Sequence, residues 1–140
     1  MMKNFVLFLM LMVFLYSCQT HEAQVIQEVY ADGAVKSKIN YQISGSDSIP
    51  LHRIDFHKNG AKRMEGYFVD GERDGEWLSW FENGSMWSKG YFKDGKRTGK
   101  SWVYHSNGQL FMKGAYENGT KTGHWLVFDE EGNLMTDQNY

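Results

Sequence analysis

The sequence predicts an all-β protein built from tandem 24-residue β-hairpin repeats, which form an elongated, twisted, open antiparallel meander sheet. The first observation behind this prediction is a set of four glycine columns with a 24-residue period, which hold 13 of the 15 glycines and begin at Gly60, Gly66, Gly71 and Gly75. The second is that X-Gly turn signals recur from Gly60 to Gly132 at a regularly alternating shorter and longer interval. That spacing leaves about 6–7 residues for each strand, close to the usual strand length.

Two turns are predicted in each repeat. Asn59-Gly60 and Asp70-Gly71 are dipeptides typical of type I′ turns, in which both central residues need positive φ. The second turn is expected to be the longer one, extending over residues 70–75. It contains a basic residue in each repeat, which either holds an anion or is simply solvated: Arg73, Arg97 and Lys121.

Alternation along the strands predicts which side chains share a face. Two apolar columns are expected together on one face: Ile54, Leu78, Trp102 and Leu126, and Phe56, Trp80, Tyr104 and Phe128. The opposite face is mixed and partly polar, with Trp77, Ser101 and Trp125 in one column. Glycine in the middle of a strand weakens the strand unless another group packs on it. We therefore expect an aromatic ring to cover Gly66, Gly90 and Gly114.

The N-terminus has the features of a lipoprotein signal peptide over residues 1–17. Lys3 precedes an uninterrupted apolar run from Phe5 to Tyr16, which is too short to span a bilayer. Leu15-Tyr16-Ser17-Cys18 resembles the bacterial lipobox, which implies cleavage before Cys18 and lipid attachment to its thiol. The alternatives are a plain cleaved signal with an incidental cysteine, or an uncleaved hydrophobic helix. Gln19 in place of aspartate favours the outer membrane, and both its periplasmic and its external face are compatible with the sequence.

The rest of the chain divides into three segments. Residues 18–24 are expected to be the lipidated cysteine and a polar tether, residues 25–50 a degenerate capping repeat, and residues 51–140 the repeat array. Cys18 is the single cysteine, so no intramolecular disulfide can form. The formal net charge of −2 and the lack of a basic run argue against nucleic-acid binding.

The repeat unit resembles a known family. Gly75-Glu-Trp-Leu-Ser-Trp-Phe-Glu-Asn-Gly84, followed by Lys89-Gly-Tyr-Phe-Lys-Asp-Gly95, is similar to the bacterial variant of the MORN repeat, as found in YwqK-like antitoxin proteins and many envelope lipoproteins. The resemblance covers residues 51–137. It implies a scaffold that contacts proteins or lipids, and an antitoxin-like or immunity-like role. It specifies the repeat rather than an activity, because a fold does not fix a function.

No catalytic constellation, metal site or cofactor is expected from the sequence. The cysteine lies in the lipid anchor, and the histidines are too far apart to share a metal and are expected at the surface. The leading hypothesis is a membrane-anchored module that binds a protein partner, with Trp77, Trp87 and Phe111 as candidate exposed contacts. The alternatives are a structural or saccharide-contacting envelope lipoprotein and, more remotely, an enzyme.

Overall fold

The computed structural model describes residues 22–140 as a single antiparallel sheet of ten strands. The expected signal peptide and Cys18 lie outside the described residues. The strands are β1 (Glu22–Val29), β2 (Val35–Ser44), β3 (Asp47–Phe56), β4 (Lys62–Val69), β5 (Glu72–Trp80), β6 (Met86–Lys93), β7 (Lys96–Tyr104), β8 (Leu110–Glu117), β9 (Thr120–Phe128) and β10 (Leu134–Asn139).

Every strand pairs with its neighbour in the chain, so the sheet order is the sequence order from β1 to β10. This confirms the all-β meander of hairpins. The strands from β4 to β9 alternate between 8 and 9 residues in length, which is longer than the turn spacing predicts. The extra residues come from segments that the sequence assigned to turns.

The Asp-Gly turns are the tight ones, which corrects the prediction of a long turn over residues 70–75. Asp70 has φ 50° and Gly71 has φ 81°, so both central residues are left-handed, as a type I′ turn requires. The same holds for Asp94 and Asn118 with the glycines that follow them. Strand β5 resumes at Glu72, and the rest of the predicted turn is strand with an irregularity in register beside Tyr67.

The Asn-Gly turns are wider than the predicted type I′ turn. Residues 57–61 separate strands β3 and β4, with His57 N–H donating to the Ala61 carbonyl and Gly60 N–H donating to the His57 carbonyl. Only Gly60 takes a positive φ (84°) in this turn. This geometry is that of a type I turn followed by a left-handed glycine, in which only the glycine needs a positive φ. Asn59 therefore stays outside the left-handed region. Its side chain caps the turn by accepting a bond from Ala61 N–H.

Burial is concentrated on the face opposite the two predicted apolar columns. Those columns share one face, as expected, but all eight of their side chains are only half-buried. The buried residues lie on the other face and include several polar ones: Ser37, Ile39, Asp55, Trp77, Ser79, Ser101 and Trp125. Asp55, at 1 % exposure, is held by ion pairs with Arg53 and Arg63. The mixed face, rather than the apolar one, therefore carries the core.

Tryptophan covers two of the three mid-strand glycines. A Cβ added to Gly66 would lie 2.2 Å from Cδ2 of Trp77, and one on Gly114 would lie 2.3 Å from Cδ2 of Trp125. The expectation of ring coverage is thus confirmed at these two positions. It is wrong at Gly90, because the column that supplies the tryptophans has Ser101 at the corresponding place.

The first hairpin, β1 and β2, keeps the turn of the array although its sequence has diverged. Tyr30 N–H donates to the Ala34 carbonyl and Gly33 N–H to the Tyr30 carbonyl, which repeats the pattern of the Asn-Gly turns. Strand β1 begins at Glu22, inside the segment expected to be a tether. Residues 22–24 pair with residues 41–43 of β2.

Candidate binding surface

A row of exposed side chains runs across the core-bearing face, immediately after the Asn-Gly turns and the equivalent Glu131-Gly132 turn. Each member is the extra residue of a β-bulge, since the register skips it between two paired neighbours. We call this set the bulge row; it consists of Arg63, Trp87, Phe111 and Met135. Bulges re-aim side chains, and the same bulge recurs in five successive hairpins, since Lys36 is skipped in the same way after the first turn. The row is therefore a built feature of the repeat.

The bulge row is largely apolar and open to solvent. Trp87 is 51 % exposed, Phe111 36 % and Met135 68 %. Trp87 contacts the ring of Phe81 at 6.1 Å between centroids, and Phe111 contacts the ring of His105 at 4.9 Å. These contacts fix the inner edge of each ring and leave the outer part free for another molecule.

The structure separates the three candidate contact residues of the sequence analysis. Trp87 and Phe111 are exposed members of the bulge row, and their role in partner binding stays a prediction. Trp77 is only 5 % exposed, so the expectation that it is a surface contact is wrong. Its ring packs on Gly66, and its indole N–H donates to the Tyr67 carbonyl at 3.2 Å. The column of Trp77, Ser101 and Trp125 is mixed because Ser101 leaves a gap between two buried tryptophans, and not because the column faces solvent.

A cavity of about 270 Å³ lies on this face next to Trp87. We call it the serine pocket, because Ser79, Ser88 and Ser101 all line it. Ser79 and Ser88 are hydrogen-bonded to each other through their hydroxyl groups. The remaining wall is made mostly of aromatic and cationic side chains: Trp77, Trp87, Phe92, Arg63, Arg73 and Arg97. No carboxylate of the described residues lines the pocket.

The basic column of the Asp-Gly hairpins forms a ladder with aromatic rings. The Arg73 guanidinium lies 4.2 Å from the Trp77 ring centroid and 5.3 Å from that of Phe92. Arg97 lies 5.3 Å from both Phe92 and Tyr116, and Lys121 continues the ladder against Trp125 and Tyr140. Each cation thus sits between rings of successive hairpins, where cation–π attraction and side-chain packing both stabilise it.

The electrostatic environment of Arg73 is unfavourable to its charge. Desolvation lowers the pKa of Arg73 below its usual value, repulsion from Arg97 and then Arg53 lowers it further, and attraction to Asp55 opposes this shift only in part. Arg73 and Arg97 form no ion pair with any carboxylate in the described part of the chain, whereas Arg63 reaches Asp55 at 3.2 Å. The pocket therefore concentrates positive charge that the protein itself balances only in part.

Two of the histidines hold turns together. His57 donates from Nε2 to the Trp80 carbonyl at 2.9 Å, and His105 donates to the Phe128 carbonyl at 3.1 Å. Tyr30 makes the corresponding bond to Phe56 in the first repeat. Side-chain exposure of His57 is 14 %, so it is less exposed than the surface position expected. Among residues 22–140, no three His, Cys, Asp or Glu side chains are grouped so that they could bind a metal.

The ten-stranded meander and its 24-residue register define a β-hairpin repeat protein. The family model described as MORN repeat variant matches residues 73–94 and 121–140. The two matches start at positions 73 and 121, which are two repeat lengths apart, so they begin at the same position of two repeats. Both matches support a MORN-type repeat protein. MORN repeats in general act as protein or membrane interaction modules, and the family is typically non-catalytic.

Two of the matches with solved structures are distant likenesses. One is to the GtfA/B complex bound to UDP and GlcNAc, at 14 % identity and a TM-score of 0.34, covering 86 % of this chain and 24 % of that chain. The chain thus spans about a quarter of the length of its GtfA/B match. The other is to a protein of unknown function from Bacteroides fragilis NCTC 9343, at 10 % identity and a TM-score of 0.24, covering 86 % and 94 % of the two chains. Comparison with curated proteins gave no match.

The described residues contain no helix with the length and apolar character needed to cross a bilayer.

Proposed function

We propose that this chain is a non-catalytic protein-interaction module of the bacterial cell envelope, anchored to the membrane by lipid on Cys18. The single observation that carries the interaction role is the bulge row. It presents Trp87, Phe111 and Met135 to solvent on one face of a sheet that has no second layer in residues 22–140. Apolar side chains exposed in a regular row on one face are candidate contacts for a partner, and tryptophan is enriched among the residues that dominate binding energy.

The anchoring part of the proposal comes from the sequence. Lys3, the apolar run and Cys18 stand in the order of a lipoprotein signal, and the lipid chains added to such a cysteine contribute about 0.8 kcal/mol for each buried methylene. A permanently tethered sheet then meets partners in or near the membrane, and Gln19 favours the outer one. An immunity-like role, in which the bound partner is a toxin, is the finer form of this proposal and draws only on the family resemblance.

The interaction role is tested by capture of the full lipidated protein from its own membranes, followed by binding measurements with the purified partner. We expect the double variant Trp87→Ser/Phe111→Ser to lose the partner, with a Kd raised about 30-fold, as for loss of about 2 kcal/mol at a binding hot spot. Tyr67→Ser is the matched control, because Tyr67 is 54 % exposed but lies on the opposite face. Undiminished capture by the double variant would refute the interaction role.

The anchor is tested separately with Cys18→Ser. We expect this variant to leave the membrane fraction and to be recovered in the aqueous phase after detergent partitioning. Intact mass spectrometry of the wild-type protein should show an N-terminal lipidated cysteine. Retention of Cys18→Ser in the membrane fraction, or an unmodified wild-type thiol, would contradict anchoring while leaving the bulge row test unaffected.

A further inference from the structure

We propose that the serine pocket is an anion-binding site that receives an acidic side chain from a peptide segment of the protein partner. The proposal deepens the proposed function and rests on it, because the pocket adjoins the bulge row through Trp87. Three features point to this ligand: the origin of the pocket, the charge of its walls, and its size.

The pocket exists because one repeat departs from its neighbours. In the flanking repeats, Trp77 packs on Gly66 and Trp125 packs on Gly114. At the equivalent place Ser101 faces Gly90, and a Cβ on Gly90 would find nothing nearer than Arg97 Nη1 at 3.8 Å and Ser101 Oγ at 3.9 Å. A tryptophan-sized volume is thus missing from the middle of the sheet.

Small residues at neighbouring positions widen the same gap. Ser79 occupies a column that has Val103 and Val127 in the next repeats, and Ser88 occupies one that has Met64 and Met112. Ser79 and Ser101 are buried, so their hydroxyl groups form a polar floor under the pocket. Polar groups buried beneath an opening walled by aromatic rings and cations favour a ligand that brings its own hydrogen-bonding atoms.

The walls select for negative charge. Arg63, Arg73 and Arg97 reach the pocket, and no carboxylate of the described residues joins them there. Arg63 already pairs with Asp55, which leaves Arg73 and Arg97 as guanidinium groups without a carboxylate partner in residues 22–140. A carboxylate can accept two parallel bonds from a guanidinium, and its charge would offset the repulsion between the two arginines.

The size and position of the pocket favour one side chain of a peptide. Its volume of about 270 Å³ lies below the range of sites for whole cofactors or drug-sized ligands, which is about 300–1,000 Å³. Trp87 belongs to both the pocket wall and the bulge row, so a segment lying along the row passes the pocket opening. An acidic residue in that segment would enter the pocket while its apolar neighbours contact Phe111 and Met135.

The test uses the full lipidated chain in detergent micelles and a six-residue probe peptide alternating glutamate and leucine. Binding is followed by tryptophan fluorescence and by the NMR signals of the arginine Nε groups. We expect saturable binding, and at least tenfold weaker binding of the same peptide with glutamine in place of glutamate. Arg97→Gln and Ser101→Trp should each weaken binding at least tenfold. Lys121→Gln, in the same column but outside the pocket, should change it less than twofold.

Ser101→Trp is informative because it restores the residue found in the flanking repeats and fills the pocket. We expect it to keep or raise the urea midpoint; should it fail to fold, Arg97→Gln carries the test alone. Equal affinity for the glutamine peptide, or unchanged binding by Arg97→Gln, would overturn the proposal. Tighter binding of inorganic phosphate than of the peptide would also overturn the proposal. The same holds if phosphatidylserine vesicles, and not the peptide, bind in a way that depends on the pocket.

The acidic-peptide site and the proposed function can be refuted independently of each other. If the natural partner is lost from the Trp87→Ser/Phe111→Ser variant but retained by Arg97→Gln and Ser101→Trp, the bulge row binds the partner and the acidic-peptide site is wrong. If capture does not depend on the bulge row at all, the proposed function fails, and the probe peptide still decides whether the pocket binds carboxylates.

Discussion

At the residue scale, the sheet owes much of its packing to contacts between tryptophan and glycine. Trp77 and Trp125 are the most deeply buried aromatic side chains of residues 22–140, and each lies directly against a mid-strand glycine of the preceding strand. A single-layer sheet has no opposing layer to bury such rings. The bare backbone of Gly66 or Gly114 therefore takes the place of a second layer, which explains why glycine recurs where a strand would otherwise exclude it.

This contact predicts opposite outcomes for the same substitution at two equivalent glycines. Gly66→Ala would place a Cβ 2.2 Å from the Trp77 ring, and we expect it to lower the free energy of unfolding by about 1–3 kcal/mol, as overpacking does. Gly90→Ala meets no heavy atom closer than 3.8 Å. Because its backbone is not left-handed, this change should be neutral or stabilise by up to about 1 kcal/mol.

Urea denaturation of the two variants beside the wild type measures the difference. Gly90→Ala is the control, since Gly90 occupies the same position of the repeat and the substitution changes the intrinsic strand propensity by the same amount. Equal destabilisation by both substitutions would show that backbone flexibility, and not the tryptophan contact, explains the glycine column.

At the element scale, the Asn-Gly turns are joined to one another by a ladder of side-chain bonds. Asn59 Nδ2 donates to the Glu82 carbonyl at 2.8 Å, and Asn107 Nδ2 donates to the Glu130 carbonyl at 3.1 Å. Asn83 makes the corresponding longer contact with Ser106 at 3.4 Å. The same asparagines accept a bond inside their own turn through Oδ1. One side chain thus caps its own turn and ties it to the next.

Asn107→Asp separates these two roles. The carboxylate keeps the acceptor for Gln109 N–H but loses the donor to the Glu130 carbonyl and places charge beside it. We expect a loss of about 0.5–1.5 kcal/mol in the free energy of unfolding, the usual net value of one hydrogen bond. Thermal unfolding followed by circular dichroism checks this.

Asp32 provides an internal comparison, since it occupies the same turn position in the first repeat and caps Ala34 N–H in the same way. Asp32→Asn should therefore leave the turn intact and have at most a small effect. A loss on Asn107→Asp no greater than that on Asp32→Asn would show that the ladder does not contribute to stability.

Sequence reasoning located the elements well and their details less well. The glycine period and strand alternation were sufficient for the meander and for the shared face of columns such as Leu78 and Trp80. The tight and wide turns were assigned the wrong way round, because Asn-Gly fits both a type I′ turn and a type I turn that ends in a left-handed glycine. Which face is buried could not be predicted, because in a single layer burial depends on ring–glycine contacts between strands.

The candidate site was predictable only in part. Exposed Trp87 and Phe111 were named from the sequence, but their common bulge depends on strand register that the repeat pattern does not show. The serine pocket was missed, although its signal was present in the columns. Ser101 replaces a tryptophan, and the basic residues of the hairpin turns were noted without the rings that flank them. A missing large residue in one repeat is the sign by which such a pocket could have been found.

At the scale of the whole molecule, ion pairs between neighbouring strands and within strands supplement a small apolar core. Three carboxylates across the array have a pKa below the ordinary value because a lysine donates a hydrogen bond to each: Glu65 from Lys62, Asp74 from Lys93, and Glu76 from Lys89. The pKa of each of these carboxylates is lower in the folded chain than in the unfolded chain. Each pair therefore stabilises the fold at pH values above the pKa that the carboxylate has in the unfolded chain. That contribution disappears as pH falls through the folded value.

We therefore expect the urea midpoint to be nearly constant from about pH 7 to 5.5 and to fall steadily below pH 4.5, the ordinary value for glutamate. Glu76→Gln removes one titrating pair and should make this fall shallower, while lowering the midpoint at pH 7 only slightly, as for an exposed ion pair. Glu131→Gln, in a turn and outside every ion pair identified in residues 22–140, is the control and should keep the wild-type slope. A midpoint that rises on acidification, or a slope that Glu76→Gln does not change, would show that these pairs do not contribute to the stability of the sheet.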